Sequence, residues 1–276
     1  MRLLMSFLAA ATLAACATPA RTDRAAAPAA QADQLAGLLE GDAVVLLGEV
    51  HDNAAVHDFR FRALERAVAA GWRPAIAMEQ FDRERQADLD RARQERPGDA
   101  DYLIEQAKPA GKSGWNWAFY RPVVALALRY DLPIVAANLS RADGAKVVRE
   151  GYAAVFTPAQ IAAAGLDKPL PAALFDGQRE AVDRGHCGKL PASLLDGMAR
   201  AQIARDVAMA EALKPYAGRG AVLLAGNGHV RRDIGVPRWL PGSVSVGLLE
   251  GENAERYDRK LLLPAQQRPD PCAALD

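Results

Sequence analysis

Four short apolar runs, each followed by polar residues, constrain this chain more than any other feature. They are residues 43–47 (AVVLL), 74–78 (PAIAM), 133–137 (PIVAA) and 221–225 (AVLLA). Runs of this length without polar alternation suit strands buried on both faces, the condition of a parallel sheet covered by helices. The stretches between them have helical spacing. Residues 54–70 put Phe61, Leu64 and Val68 on one face, with Gly71 as a C-cap. Residues 83–96 read as a polar surface helix, and 102–107 as a short helical piece. A helix over 122–130 starts at Pro122, a residue suited to a first turn. A longer one over 193–213 turns Leu194, Met198, Ile203, Val207 and Ala210 inward and stops at Pro215 and Gly218. Residues 244–249 and 260–263 read as later or edge strands. This alternation predicts an α/β fold, a mostly parallel sheet flanked by helices. Residues 141–190 hold no apolar strand and are broken by Gly and Pro; they read as a helical lid over about 142–190.

In such sheets functional groups gather beyond the carboxyl ends of the strands. The four runs lead into Glu49 and His51, Glu79, Asn138 and Arg141, and His229. Two of them share a GxxH pattern, Gly48-Glu49-Val50-His51 and Gly226-Asn227-Gly228-His229, in a chain with only four histidines. Glu49, His51, Glu79 and His229 form a mixed N/O ligand set for a divalent metal such as Zn²⁺, Mn²⁺ or Fe²⁺. Alternatively Glu49 or Glu79 acts as general base while a histidine moves protons, or the residues are a rim of helix caps. Arg141 suits an anionic group. No GxSxG, GxxxxGK[ST] or GxGxxG occurs. Lys+Arg and Asp+Glu are equal at 34 each, which disfavours generic nucleic-acid binding.

The N-terminus reads as a processing signal. Arg2 is followed by an apolar stretch, residues 3–11, too short to span a bilayer. Leu13-Ala14-Ala15-Cys16 then matches a bacterial lipobox, in which Cys16 becomes acylated; the alternative is an ordinary signal peptide cut after Ala17. By resemblance to sorted bacterial lipoproteins, Ala17 rather than Asp at the next position points to the outer membrane. The expected organisation is a signal over 1–15, a flexible Ala/Pro tether over 16–34 and a single domain over 35–276. In an envelope compartment Cys187 and Cys272 read as a disulfide, with two buried thiols or a thiolate metal ligand as alternatives.

Several motifs in order carry a resemblance: LLGEVHDNAAVH, AMEQFDR, WNWAFYRPVVALAL, AANLSR, GHCGKLP, AQIARDVAMA and LLAGNGHVRRDIGVP. Across residues 38–251 the chain resembles the ChaN-like haem-binding lipoprotein family, grouped with erythromycin esterase and the Tiki and TraB proteins. The resemblance implies an α/β fold, surface anchoring, haem as cofactor, a tyrosine ligand and a role in haem or iron acquisition. Haem needs an apolar slot, an axial ligand and cations for its propionates. Trp115, Trp117, Phe119 and Tyr120 are candidate walls; Tyr120, Tyr152, His186 and His57 are candidate ligands; Arg60, Arg62, Lys112 and Arg141 are candidate propionate partners. A haem-transport receptor and a second copy of the chain are candidate partners. The esterase relationship implies a second reading, a metal-dependent hydrolase using the strand-end Glu/His site.

Overall fold

Alternate side chains of the buried runs face opposite sides of one sheet, and this sets three layers. The computed structural model describes residues 26–276 apart from 110, 112, 113, 271 and 274–276. The signal, Cys16 and Lys112 lie outside the described residues. The strands are β1 (Val44–Glu49), β2 (Ala75–Asp82), β3 (Ile134–Asn138), β4 (Ala221–Gly226), β5 (Val244–Leu249) and β6 (Arg259–Leu262). They form one sheet in the order β3-β2-β4-β1-β5-β6, every neighbouring pair parallel. The helices are α1 (Ala26–Leu38), α2 (Ala54–Ala69), α3 (Gln86–Glu95), α4 (Ala100–Ala107), α5 (Trp117–Arg129), α6 (Arg141–Glu150), α7 (Pro158–Ala163), α8 (Ala172–Gly185) and α9 (Ala192–Leu213).

Val45, Leu47, Ile76, Met78, Val222 and Leu224 share one core with α1 to α5. Val44, Leu46, Ala75, Ala77, Leu223 and Ala225 face Met209, Ala210 and Leu213 of α9. The predicted lid is helical, and α6 and α8 pack on α9 around Leu139, Val147, Phe156, Leu174 and Ile203. Among the described residues no helix is long and apolar enough to cross a membrane.

The topology positions the site. β4 lies between β1 and β2, with Glu49 in register with Gly226 and Met78 with Leu224. The carboxyl ends of these three strands are therefore neighbours although far apart in sequence.

The structure corrects three sequence expectations. The tether does not extend to residue 34: the chain is helical from Ala26, because Ala32, Leu35 and Leu39 are buried in the core. α5 starts at Trp117, upstream of Pro122, because the Asn116 side chain accepts from the Ala118 N–H and caps it there. β2 runs on to Asp82 through a register shift, so Glu79 is inside the strand rather than beyond it.

The β3 edge is covered by a side chain. Gln86 donates to the Ile134 carbonyl at 3.1 Å and accepts from the Ala136 N–H at 2.8 Å. At the other end of the chain, Cys187 and Cys272 form the disulfide, with Cα atoms 5.7 Å apart. The C-terminal tail crosses the loop that follows β1 on its way there. Asn53 donates to the Pro264 carbonyl at 2.9 Å, and Ala54 N–H to Gln266 Oε1 at 3.1 Å. Arg268 forks onto both oxygens of Glu250 and reaches Asp52 at 2.7 Å.

Candidate functional site

At the carboxyl end of β1, on the α2/α5 side of the sheet, Glu49 is buried and fully partnered. Its Oε1 accepts from the Tyr120 hydroxyl at 2.5 Å and from His51 Nδ1 at 2.8 Å. Its Oε2 is held by Arg60, itself completely buried. Behind Arg60, His57 accepts from Nη2 at 3.1 Å on Nδ1 and donates from Nε2 to the His51 carbonyl at 3.0 Å. Burial lowers the His57 pKa, consistent with a neutral ring in that role. Phe119 stacks on His57, and Trp115 meets the His51 ring edge-on at 4.9 Å between centroids.

On the α9 side, Glu79 Oε2 accepts from the Gly226 N–H at 2.8 Å, and Oε1 is 3.5 Å from His229 Nε2. His229 donates from Nδ1 to Asp206 Oδ1 at 2.6 Å. The other oxygen of Asp206 accepts from Gln178 at 2.9 Å, and the same Gln178 amide donates to the Ile234 carbonyl at 3.0 Å. Arg205 donates to Asn138 Oδ1 at 2.9 Å and to the Leu139 carbonyl at 2.7 Å, which closes the β3 end of the site. Burial opposes charge on Glu79, yet His229, His51 and the Gly226 N–H outweigh it and hold the carboxyl below its ordinary range. Burial likewise opposes the His229 imidazolium, but Glu79 and Asp206 raise its pKa. Asp206 is pushed up to about 6 by burial, in spite of His229. Asp82, at the end of β2, is also raised to about 6, by burial and then by Glu84.

The two GxxH glycines are demanded by close approach of the opposite unit. A Cβ on Gly226 would stand 2.8 Å from His51 Nε2, and a Cβ on Gly48 would collide with the Asn227 side chain. Two carboxylate-backed imidazoles thus arrive from opposite faces of the sheet on either side of Glu79. The site opens at His51, whose side chain is 46% exposed, against 14% for His229 and 7% for Glu79.

The structure therefore brings Glu49, His51, Glu79 and His229 together. It does not arrange them as a metal cage: among the described residues no group of three or more His, Cys, Asp or Glu is placed to hold a metal ion. Glu49 is committed to Arg60, Tyr120 and His51, and His229 Nδ1 to Asp206. Tyr120 is corrected as a haem ligand, because its hydroxyl is already donated to Glu49 within the core. Trp117 packs against Phe81 and Tyr120. Arg141 is exposed on the first turn of α6; the arginine whose charge acts on Glu79, Asp82 and His229 is Arg205. Tyr152 and His186 belong to the lid. The Tyr152 hydroxyl is buried without a hydrogen-bond partner, and His186 donates from Nδ1 to the Val182 carbonyl at 2.8 Å.

Sequence reasoning missed Asp206, Arg205 and Gln178. Asp206 left a signal: it lies three residues after Ile203 and four before Ala210, on the inward stripe of α9, where an unpaired carboxylate is costly.

Residues 35–240 match the family described as haem-binding uptake, Tiki superfamily, ChaN. The chain belongs to this family. No curated protein matches. Among solved structures, ChaN of Campylobacter jejuni, described for cofacial haem binding, is similar at 22% identity and a TM-score of 0.64, covering 80% of this chain and 86% of that one. The type III effector HopBA1 aligns at 14% identity and a TM-score of 0.45, over 81% and 88% of the two chains. A Bacillus cereus protein aligns at 14% and 0.41, over 80% and 70%. The ChaN likeness confirms the α/β fold with its parallel sheet.

Proposed function

We propose that this protein is a haem-binding lipoprotein of the bacterial outer membrane that serves haem or iron acquisition. Family membership over residues 35–240 carries the reading. The cofacial binding described for Campylobacter jejuni ChaN is the mode proposed here, with a second copy of the chain and a transport receptor as partners.

Haem supplies an iron that takes an anionic or imidazole ligand, and the lid offers both. Tyr152 fits best: its hydroxyl is buried and unpartnered, among the apolar side chains of the lid core. Burial pushes the phenol up to about 12, and the Arg200 charge acts in the opposite direction. Tyr152 would hold the iron and Arg200 would face a propionate. His186 is the second candidate, since its bond to the Val182 carbonyl holds the proton on Nδ1 and leaves Nε2 with the lone pair, as in histidines that bind metals.

Hemin titration of the domain should give a stoichiometric Soret shift with a tyrosinate charge-transfer band, and Tyr152→Phe should abolish that band. An unchanged spectrum with the wild-type protein overturns haem binding; a band that survives Tyr152→Phe but not His186→Ala moves the ligand to His186. Anchoring is tested separately: Cys16→Ala should release the protein from the membrane fraction.

One observation favours a second activity at the strand ends. The Asp206–His229–Glu79 array has the form of an oriented acid–base pair, suited to hydrolysis of an ester. Loss of chromogenic-ester turnover in both His51→Ala and His229→Ala is the expected result; absence of turnover by the wild type retires this reading.

A further inference from the structure

We propose that Asp206 and Gln178 together form a positioning device that fixes the tautomer of His229, so that Nδ1 carries the proton and Nε2 is presented to Glu79. The device places lid helix α8 in control of the strand-end site. It deepens the acid–base reading of that site, but it is a property of the free protein.

The geometry runs from the lid inward. α8 is seated hard on the segment after His229: a Cβ on Gly177 would stand 2.8 Å from Ile234 Cγ2. This close seating brings the next residue, Gln178, between α9 and that segment. Its amide nitrogen donates twice, to Asp206 Oδ2 at 2.9 Å and to the Ile234 carbonyl at 3.0 Å. Gln178 cannot turn its amide over without facing its carbonyl oxygen against two acceptors. Asp206 is fully buried, so its remaining oxygen has one partner, His229 Nδ1 at 2.6 Å. Asp206 and Glu79 both only accept, and the shorter contact, 2.6 Å at Nδ1 against 3.5 Å at Nε2, places the proton of the neutral imidazole on Nδ1. Nε2, 3.5 Å from Glu79 Oε1, is then the nitrogen that exchanges protons with Glu79 or with a ligand.

The other charges around His229 do not compete for Nδ1. Glu79 faces Nε2 from β2. Arg205, on α9 beside Asp206, is bonded to Asn138 and Leu139. Arg231 and Asp233, which follow His229 in the chain, pair with each other, and Arg231 also with Glu255.

A distinctive consequence separates this device from a merely structural contact. In Asp206→Asn the new amide must turn its oxygen toward Gln178, because Gln178 offers only N–H. Its NH₂ then faces Nδ1 and forces the proton to Nε2. Removing the clamp as well, in Asp206→Asn with Gln178→Ala, frees the amide to turn back, and Nδ1–H returns.

The test is long-range ¹H–¹⁵N correlation spectroscopy of ¹⁵N-histidine-labelled protein, at a pH where the His229 ring is neutral. Only four histidines contribute, and His229→Gln assigns the signal. The wild type is expected as the Nδ1–H form, Asp206→Asn as Nε2–H, and the double variant as Nδ1–H again. An Nε2–H wild type overturns the proposal even if the variants fail to fold. So does an Asp206→Asn protein that keeps Nδ1–H. The measurement needs no substrate, so absent ester turnover would remove the hydrolytic reading and leave this one standing.

Discussion

The imidazole of His51 rests on the Cα of Gly226, with Nε2 at 2.8 Å and Cε1 at 3.0 Å from where a Cβ would project. Each GxxH unit thereby reserves space for the other. Gly226→Ala should push His51 off its contact with Glu49 and cost about 1–3 kcal/mol of stability, the usual range for overpacking. Urea denaturation measures this; an unchanged midpoint would mean that His51 moves freely.

Arg60 offers a larger effect. It is the cation behind a carboxylate that is itself buried. Arg60→Met should destabilise by about 3–5 kcal/mol, because Glu49 is left charged without a counterion. Adding Glu49→Gln should recover part of the loss, since the buried charge is then gone. Denaturant midpoints of the two variants give the comparison.

The disulfide joins residues separated by 85 positions. Chain entropy alone gives a loop of this length roughly 4–5 kcal/mol. Cys187→Ala and Cys272→Ala should each lower the urea midpoint, by equal amounts, and a dithiol reductant should do the same to the wild type and nothing to either variant.

The Arg268–Glu250 fork makes stability depend on pH in a defined window. Its bond to Arg268, helped by the Gln266 N–H and Asn53, holds the Glu250 carboxyl at about 2 against an ordinary value of 4.5. A depressed carboxyl contributes its stabilisation in full above the ordinary value and loses it as pH falls toward the folded one. The melting-temperature difference between wild type and Arg268→Ala should therefore be constant above about pH 4.5 and vanish toward about pH 2. Because the pair is partly exposed, the difference should also shrink in high salt.

The fold was legible in the sequence because the central strands are buried on both faces. Every residue of β1, β3 and β4 had to be apolar or small until the strand reached its polar end. The strand-end quartet was legible for the same reason: a charged residue at the limit of such a run has few purposes. The roles within the quartet were not legible. Glu49 reads as a metal ligand or general base until Arg60 and Tyr120, from two different helices, are seen to close on it. Gln178 was hidden because its function depends on the close seating of Gly177 on Ile234, a contact across 57 residues of chain that no periodicity encodes. Proline was misleading at position 122, where Asn116 decides the start of the helix.

Gln86 acts as a one-residue counterfeit strand along β3, occupying the groups a visiting chain would need. Self-assembly by sheet extension is thus blocked on that flank. The opposite flank is β6, a short strand on which Arg259, Lys260 and Leu262 are exposed. Pairing of two copies, as proposed for cofacial haem binding, would leave the β3 ladder private to its own chain.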